Sequence, residues 1–301
     1  MRTYKFFQVD VFAESRFGGK PLAVFPQAQG LTAEEMEAIA FELNLPKTAF
    51  VFPAESDDAQ FKLRVFNPVS ELSVAGQPAI GAHYVLARQG VTRLSGDVTR
   101  VAHEISSKIF PVDIFSEGGR IGKISIAHEP PKFLDEIDDL ESLAKGLCCE
   151  VDDLDLDFGR PQVVSCGVAS MMVPVKSLQV LGDLGLDVSP LRQVCEDYGC
   201  TMAYAFTIRE TLREGSIAQA RFFSGHLLFE DSATASAAGS LGAFLASHGF
   251  GEEEGDSRFV IDQGDFSGRP SRIYVTVNAS GNAEVAGYCR HVFEAELQLE
   301  E

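Results

Sequence analysis

No apolar run in this sequence approaches the roughly 20 residues that a helix needs to cross a bilayer, so a protein anchored by membrane-spanning helices is not expected. The opening, MRTYKFFQVDVFAE, becomes charged and strand-like too early for a secretory signal, which points to a cytoplasmic protein. Basic residues are scarce: 25 Lys and Arg stand against 44 Asp and Glu, leaving a net charge of −19. A field of that sign repels phosphate backbones and anionic lipid, which argues against nucleic acid and membranes as partners. The acidity itself reads as a solubility device. The six cysteines (Cys148, Cys149, Cys166, Cys195, Cys200, Cys289) show no C-x-x-C spacing and no closely spaced histidines, so they read as reduced thiols. The neighbours Cys148 and Cys149 read as small, half-buried residues before a vicinal redox pair. Metal-ligand clusters of the H-x-x-x-H kind are missing, and so is Walker A spacing. Gly18-Gly19 leads into a strand instead of opening a helix, unlike a dinucleotide-binding turn. No metal or organic cofactor is therefore expected.

What is present is a chain of 301 residues, 45% hydrophobic and 23% charged, enough for one large domain or two ordinary ones with real cores. Tyr4–Phe12 reads as a strand, Gly18-Gly19 as a turn, and Leu22–Phe25 as the strand that follows. Thr32 with Glu35 forms a capping box, and Met36, Ile39, Ala40 and Leu43 supply the apolar stripe of a helix that ends at Asn44 and Pro46. Strands are expected again at 49–52 and 61–66. A loop holding Gly76, Gln77 and Pro78 then feeds a helix over about 79–88 that closes on Gly90.

The second half repeats this grammar. Arg221-Phe222-Phe223-Ser224 ends a strand as Arg64-Val65-Phe66-Asn67 does, and small residues then feed a helix that closes on Gly249. The shift is 157 residues from Arg64 to Arg221 and 159 from Gly90 to Gly249, which predicts two similar lobes. Their boundary is placed near residue 118. Asp135–Asp157 alternates acids with leucines, as a short amphipathic helix followed by a solvated connection would. Two loops of small residues, 74–78 and 230–239, would present free N–H groups and the positive end of a helix dipole, a geometry that suits a carboxylate. Such helix starts also serve close backbone packing.

At this point the sequence resembles a known family. The segments VDVFAESRFGGKPLAVF, LNLPKTAFVF, RVFNPVSELSVAGQPAIGAHYVLA, SCGVASMMVPV, FEDSATASAAGSLGAFLASHG and QGDFSGRPSRIYV look, in order, like successive blocks of the phenazine-biosynthesis PhzF-like family. The resemblance implies the α+β, diaminopimelate-epimerase-like fold: two similar lobes, each a curved and mostly antiparallel sheet wrapped around a central helix. It assigns residues 1–118 with 288–301 to the N-terminal lobe and 119–287 to the C-terminal lobe, with the active site between them. A homodimer that needs no cofactor, acting on a small carboxylated molecule of a biosynthetic pathway, is also implied.

The family's chemistry is proton transfer at a carbon next to an activating group, by a Glu in a block that usually reads N-L-S-E-T. Here that block is Asn44-Leu45-Pro46-Lys47-Thr48, so Lys47 occupies the acid/base position. The family's G-H-P is Gly76-Gln77-Pro78, which exchanges a titratable imidazole for an amide; G-G-N-P is Gly18-Gly19-Lys20-Pro21; and E-D-P-A-T-G-S is Glu230-Asp231-Ser232-Ala233-Thr234-Ala235-Ser236. Carried over residue by residue, the resemblance names Lys47 and Asp231 as catalytic. Lys20, Gly76, Gln77, Thr234, Ala235, Ser236 and Ala237 are then substrate-binding. A solvated Lys titrates well above neutral pH and Gln77 does not titrate, so the chemistry has changed or has gone. Three readings stay open: an altered isomerase or epimerase, a binding protein or pseudoenzyme in which Lys20 and Lys47 trap an anion, and a Schiff-base enzyme using Lys47. His226 reads as a substrate contact at most, Glu71 as a turn stabiliser, His83 as a packed residue, and Cys166 as a thiol without an evident base.

Overall fold

Apolar residues concentrated on one strand start the first lobe: β1 (Arg2–Val11) buries Tyr4, Phe6, Phe7, Val9 and Val11 and leaves Thr3 and Lys5 in solvent. The structure, a computed structural model, describes residues 1–73, 75–225, 230–252 and 255–300. Two compact units emerge, Met1–Ala127 with Ala286–Glu301, and His128–Val285.

In the first unit β2 (Lys20–Phe25) is followed by α1 (Ala33–Leu43), β3 (Thr48–Pro53), β4 (Phe61–Phe66), the short β5 (Glu71–Leu72), α2 (Gln77–Arg88), β6 (Val98–Ile105), β7 (Lys108–Glu117) and β8 (Arg120–Ala127). The chain returns at the end as β17 (Cys289–Leu299). The capping box at α1 is present, with Thr32 and Glu35 each bonding the other's backbone N–H, and Asn44 closes the helix at φ 48°. Pairing runs β17–β1–β2 antiparallel, β2–β3 parallel, β3–β4 antiparallel, β4–β6 parallel, and β6–β7–β8 antiparallel. Helix α2 touches β17, β1, β2 and β3 as well as β8, strands from both ends of this order, so the sheet curls around it. On the α1 side, four adjacent strands each contribute one ring to a ladder: Phe6, Phe25, Phe50 and Phe66, with centroids 5.1, 4.9 and 5.6 Å apart. The expected junction at residue 118 shifts to follow Ala127 because β8 zips onto β7 from Glu117↔Arg120 to Val112↔Ile126 and stays with it.

The second unit has β9 (Lys132–Glu136), α3 (Leu140–Gly146), a 3-10 turn (Val151–Asp153), β10 (Gln162–Ser165), β11 (Ala169–Pro174), α4 (Leu178–Asp183), α5 (Val188–Asp197), β12 (Met202–Thr207), β13 (Ala218–Ser224), α6 (Ala235–Ser247), β14 (Ser257–Gln263) and β15 (Ser271–Val277). β16 (Ala283–Gly287) leads out of it. Pairing runs β9–β10–β11 antiparallel, β11–β12 parallel, β12–β13 antiparallel, β13–β14 parallel and β14–β15 antiparallel, the same alternation as in the first unit. Helix α6, like α2, is the central element, resting on β10, β11, β14 and β15. The acidic stretch holds the expected short helix as α3, and the connection after it is corrected in part: Cys148, Glu150, Asp152, Leu156 and Asp157 are solvated, whereas Leu154 and Asp155 are buried. Leu143, Leu147 and Leu154 lie in the unit's core, and buried Asp155 takes two hydrogen bonds, 2.8 and 3.1 Å, from Arg209.

Candidate functional site

Of the residues named from the sequence, Gly76 and Gln77 fall at the start of α2 and Asp231 to Ala237 at the start of α6, while Lys20 begins β2 and Lys47 lies just before β3. In the first unit, Gly19 turns the chain at φ +64°, where a Cβ would strike the Val11 carbonyl and Ala13, and delivers Lys20 to the start of β2. Lys20 is only 6% exposed. Lys47 follows the α1 cap, and its carbonyl accepts from the Ala23 N–H at 3.4 Å, where β3 joins β2 in parallel. Its neighbour Thr48 is buried with a hydroxyl that has no hydrogen-bond partner. Gly76 precedes α2 at φ 60°, ψ −125°, a conformation that favours glycine, and no side chain caps the helix; Pro78 has no N–H to satisfy. Gln77 opens α2, donates from Nε2 to the Lys20 and Pro21 carbonyls at 3.4 and 3.3 Å, and leaves Oε1 buried without a partner. Thus Gln77 and the Lys20 backbone are brought together, with Lys47 entering the adjacent strand. Glu71 takes a two-pronged grip from Arg64, at 2.7 and 2.6 Å, which holds its carboxyl below the usual range and fits the expected structural role.

In the second unit the loop before α6 is held from three sides. The Thr234 hydroxyl donates to Asp231 Oδ2 at 2.9 Å instead of capping the helix, so the first N–H groups of α6, at Ala235, Ser236 and Ala237, have no side-chain cap. Gln263, wholly buried at the end of β14, donates to the Asp231 carbonyl at 2.7 Å and accepts from the Thr234 N–H at 3.1 Å. Buried Tyr204 then donates to the same Gln263 oxygen at 2.8 Å. Burial, reinforced by the charges of Asp231 and Asp262, pushes the Tyr204 phenol far up, so it stays a neutral donor. Gly264, at φ +82°, lets this corner approach Ser232, whose carbonyl would lie 2.5 Å from an added Cβ. Asp231 is 8% exposed. Just before it, Arg221 grips Glu230 at 3.1 and 2.7 Å and donates to the Leu181, Gly182 and Leu184 carbonyls.

The sequence does not mark Gln263, Tyr204 or Arg221 as site residues, although Gln263 heads one of the resembling blocks and Arg221 anchors the repeat. The other candidates fall away from this chemistry. His83 is fully buried against His103 at 3.0 Å, as a packing residue. Burial raises the Cys166 thiol, and it lifts Cys149 to about 11, which leaves neither a ready nucleophile near neutral pH. His226 and Val74 lie outside the described residues. Among the described residues, no cluster of three or more His, Cys, Asp or Glu could hold a metal ion, and no helix is long and apolar enough to cross a membrane.

A mixed sheet curled around a helix, occurring twice with the same strand alternation and with a polar helix start each time, defines the duplicated α+β fold of diaminopimelate-epimerase-like proteins. The chain belongs to the phenazine biosynthesis-like protein family, which it matches over residues 9–294. It is 31% identical to an uncharacterized isomerase of Clostridium acetobutylicum, with 99% of each chain covered. A Bacillus anthracis phenazine biosynthesis protein of the PhzF family superimposes with a TM-score of 0.90 at 26% identity, covering 99% of this chain and 100% of that one. A hydroxyproline epimerase from Agrobacterium vitis, solved with bound trans-4-hydroxy-L-proline, shares the fold at a TM-score of 0.61 and 13% identity, covering 100% of this chain and 94% of that one.

Proposed function

We propose that the protein is an isomerase or epimerase that moves a proton at a carbon next to the carboxylate of a small metabolite, without a cofactor. Lys47 and Asp231 carry the proton, and the uncapped N–H groups of Ala235, Ser236 and Ala237 receive the carboxylate, helped by the α6 dipole. Gly76, Gln77 and Lys20 contact the rest of the substrate. The observation that carries this reading is the way Asp231 is held: its side chain by Thr234 and its backbone by Gln263, beside a helix whose first N–H groups have no side-chain cap. A carboxylate fixed this firmly is preorganised for one geometry of proton transfer. The named activity of the Clostridium relative supports the same class.

Proton NMR in D2O tests it, using purified protein and a panel of small carboxylic acids that includes amino acids and cyclohexadiene acids. Protein-dependent loss of a C–H signal supports the isomerase. Saturable line broadening with every C–H retained would favour a second reading, an anion-binding protein, which draws on the Lys at position 47 where the family usually has its acid/base Glu.

A further inference from the structure

Gly199 ends α5 in the left-handed region, at φ +66°, and two nested backbone bonds close the helix around it. The Cys200 N–H donates to the Cys195 carbonyl at 2.8 Å, and the Gly199 N–H donates to the Glu196 carbonyl at 3.3 Å. This is the Schellman arrangement, which folds the residue after the glycine back onto the last helical turn and brings two particular side chains together. Here those two side chains are Cys195 and Cys200. Both lie in the core of the second unit, both are free thiols, and they hydrogen-bond to each other. The other two buried cysteines bond to oxygen instead, Cys166 to the Ser240 hydroxyl and Cys289 to the Ile80 carbonyl at 3.9 Å.

We propose that Cys195 and Cys200 form an oxidation site, at which hydrogen peroxide or an organic hydroperoxide converts the two thiols to an internal disulfide across the end of α5. Cys200 is 5% exposed and Cys195 is wholly buried, so the oxidant meets Cys200 first. The hydrogen bond from Cys195 lowers the Cys200 thiol against the opposing effect of burial, with the Met202 and Cys200 N–H groups adding to it, while Cys195 is pushed up. Cys200 is thus the thiolate and Cys195 keeps its proton. The Cys200 sulfur attacks one peroxide oxygen and the O–O bond breaks. The departing hydroxide or alkoxide takes up the proton that Cys200 gave, leaving a sulfenic acid. The Cys195 sulfur then attacks the sulfenic sulfur; the S–S bond forms, the S–O bond breaks, and hydroxide leaves with the Cys195 proton as water. The two sulfurs give up two electrons in all, and the peroxide accepts them. The product adds no heavy atom between residues already in contact, so a close-packed core admits it, whereas further oxygens on sulfur would need room.

Peptide mass spectrometry tests this directly, because trypsin releases both cysteines in one peptide, residues 193–209. The full-length protein is treated with hydrogen peroxide under native conditions, alkylated with iodoacetamide in denaturant, and digested. The wild-type peptide should lose two hydrogens and take up no label, and dithiothreitol should restore both labelled thiols. In Cys195→Ser the same treatment should leave a sulfenic acid on Cys200 that dimedone captures, whereas Cys200→Ser should leave Cys195 free to alkylate. Replacing Cys148 and Cys149 by serine should leave the yield of the disulfide unchanged. Full alkylation of both cysteines in the wild-type peptide, at a peroxide dose that oxidises the exposed Cys148, would overturn the proposal. A disulfide joining Cys195 or Cys200 to Cys148 or Cys149 in place of the pair would overturn it equally.

Discussion

Arg221 grips Glu230 through two hydrogen bonds, of 3.1 and 2.7 Å, one residue before Asp231. The first unit has the same device in Arg64 and Glu71, and in both units the guanidinium also lies over the ring two residues on, Phe66 at 5.2 Å and Phe223 at 4.8 Å. The two clamps differ in burial. The Arg221–Glu230 side chains are 10% and 15% exposed, those of Arg64 and Glu71 26% and 43%. Arg221→Met should lower stability by about 3 kcal/mol, since it leaves a buried carboxylate and three carbonyls unpaired. Arg64→Met should cost less than about 1 kcal/mol in its wetter setting. Urea denaturation of the two variants side by side checks the ranking.

The His83–His103 pair makes the first unit acid-sensitive. Burial pushes His83 well below 6.5, with His103 adding to the effect, and burial brings His103 to about 4. Phe61 and Phe110 stack against His103 and offer a proton no counter-charge. Each imidazole binds a proton more readily in the unfolded chain than in the native one, so stability falls as pH drops from about 6.5 toward 4. His103→Phe should flatten that slope by up to about 1.4 kcal/mol per pH unit between pH 6 and 5. Urea midpoints at the two pH values measure it; an unchanged slope would mean that the pair does not titrate on folding.

Gly242, within α6, is a glycine of packing. An added Cβ would lie 2.5 Å from Val275 Cγ1, on the strand that α6 rests against. In an exposed helix, Gly→Ala stabilises by roughly 0.5–1 kcal/mol. Here Gly242→Ala should destabilise by about 1–3 kcal/mol, because helix and sheet must separate. The thermal midpoint should fall where propensity alone would raise it.

Tyr204→Phe removes the hydroxyl that donates to Gln263 and leaves the Thr234 N–H as that oxygen's remaining donor. A loss of about 1–2 kcal/mol is expected, together with slower exchange chemistry, since Gln263 is the link to the Asp231 backbone. A variant that loses stability but keeps the full exchange rate would show that the network serves the fold alone.

Local and periodic features of the fold are legible in the sequence. The Thr32–Glu35 box spans three residues and depends on nothing distant, and the shift from Arg64 to Arg221 reflects a real repetition of strand, clamp and helix. The contacts that hold the site were not legible. Gln263 meets Asp231 across 32 residues and Tyr204 across 59, and no spacing rule links positions joined only by the packing of β12, β14 and the α6 loop. Asp155 was hidden for the same reason, since its partner Arg209 lies 54 residues on and turns an apparently solvated acid into a buried one. The resemblance pointed to Lys47 and Gln77. The buried, unpaired oxygen on Gln77 became visible only once the amide had taken its place beside the Lys20 and Pro21 carbonyls.

The most direct measurement is the rate of deuterium incorporation at carbon in D2O, compared among wild type, Lys47→Ala and Asp231→Asn, with each variant's fold verified. The proposal predicts incorporation by the wild type and a loss of at least about a hundredfold in each variant, the scale of a positioned general acid or base. Undiminished exchange in both variants, or wild-type binding of the acids with no exchange at all, would contradict the claim that Lys47 and Asp231 move the proton.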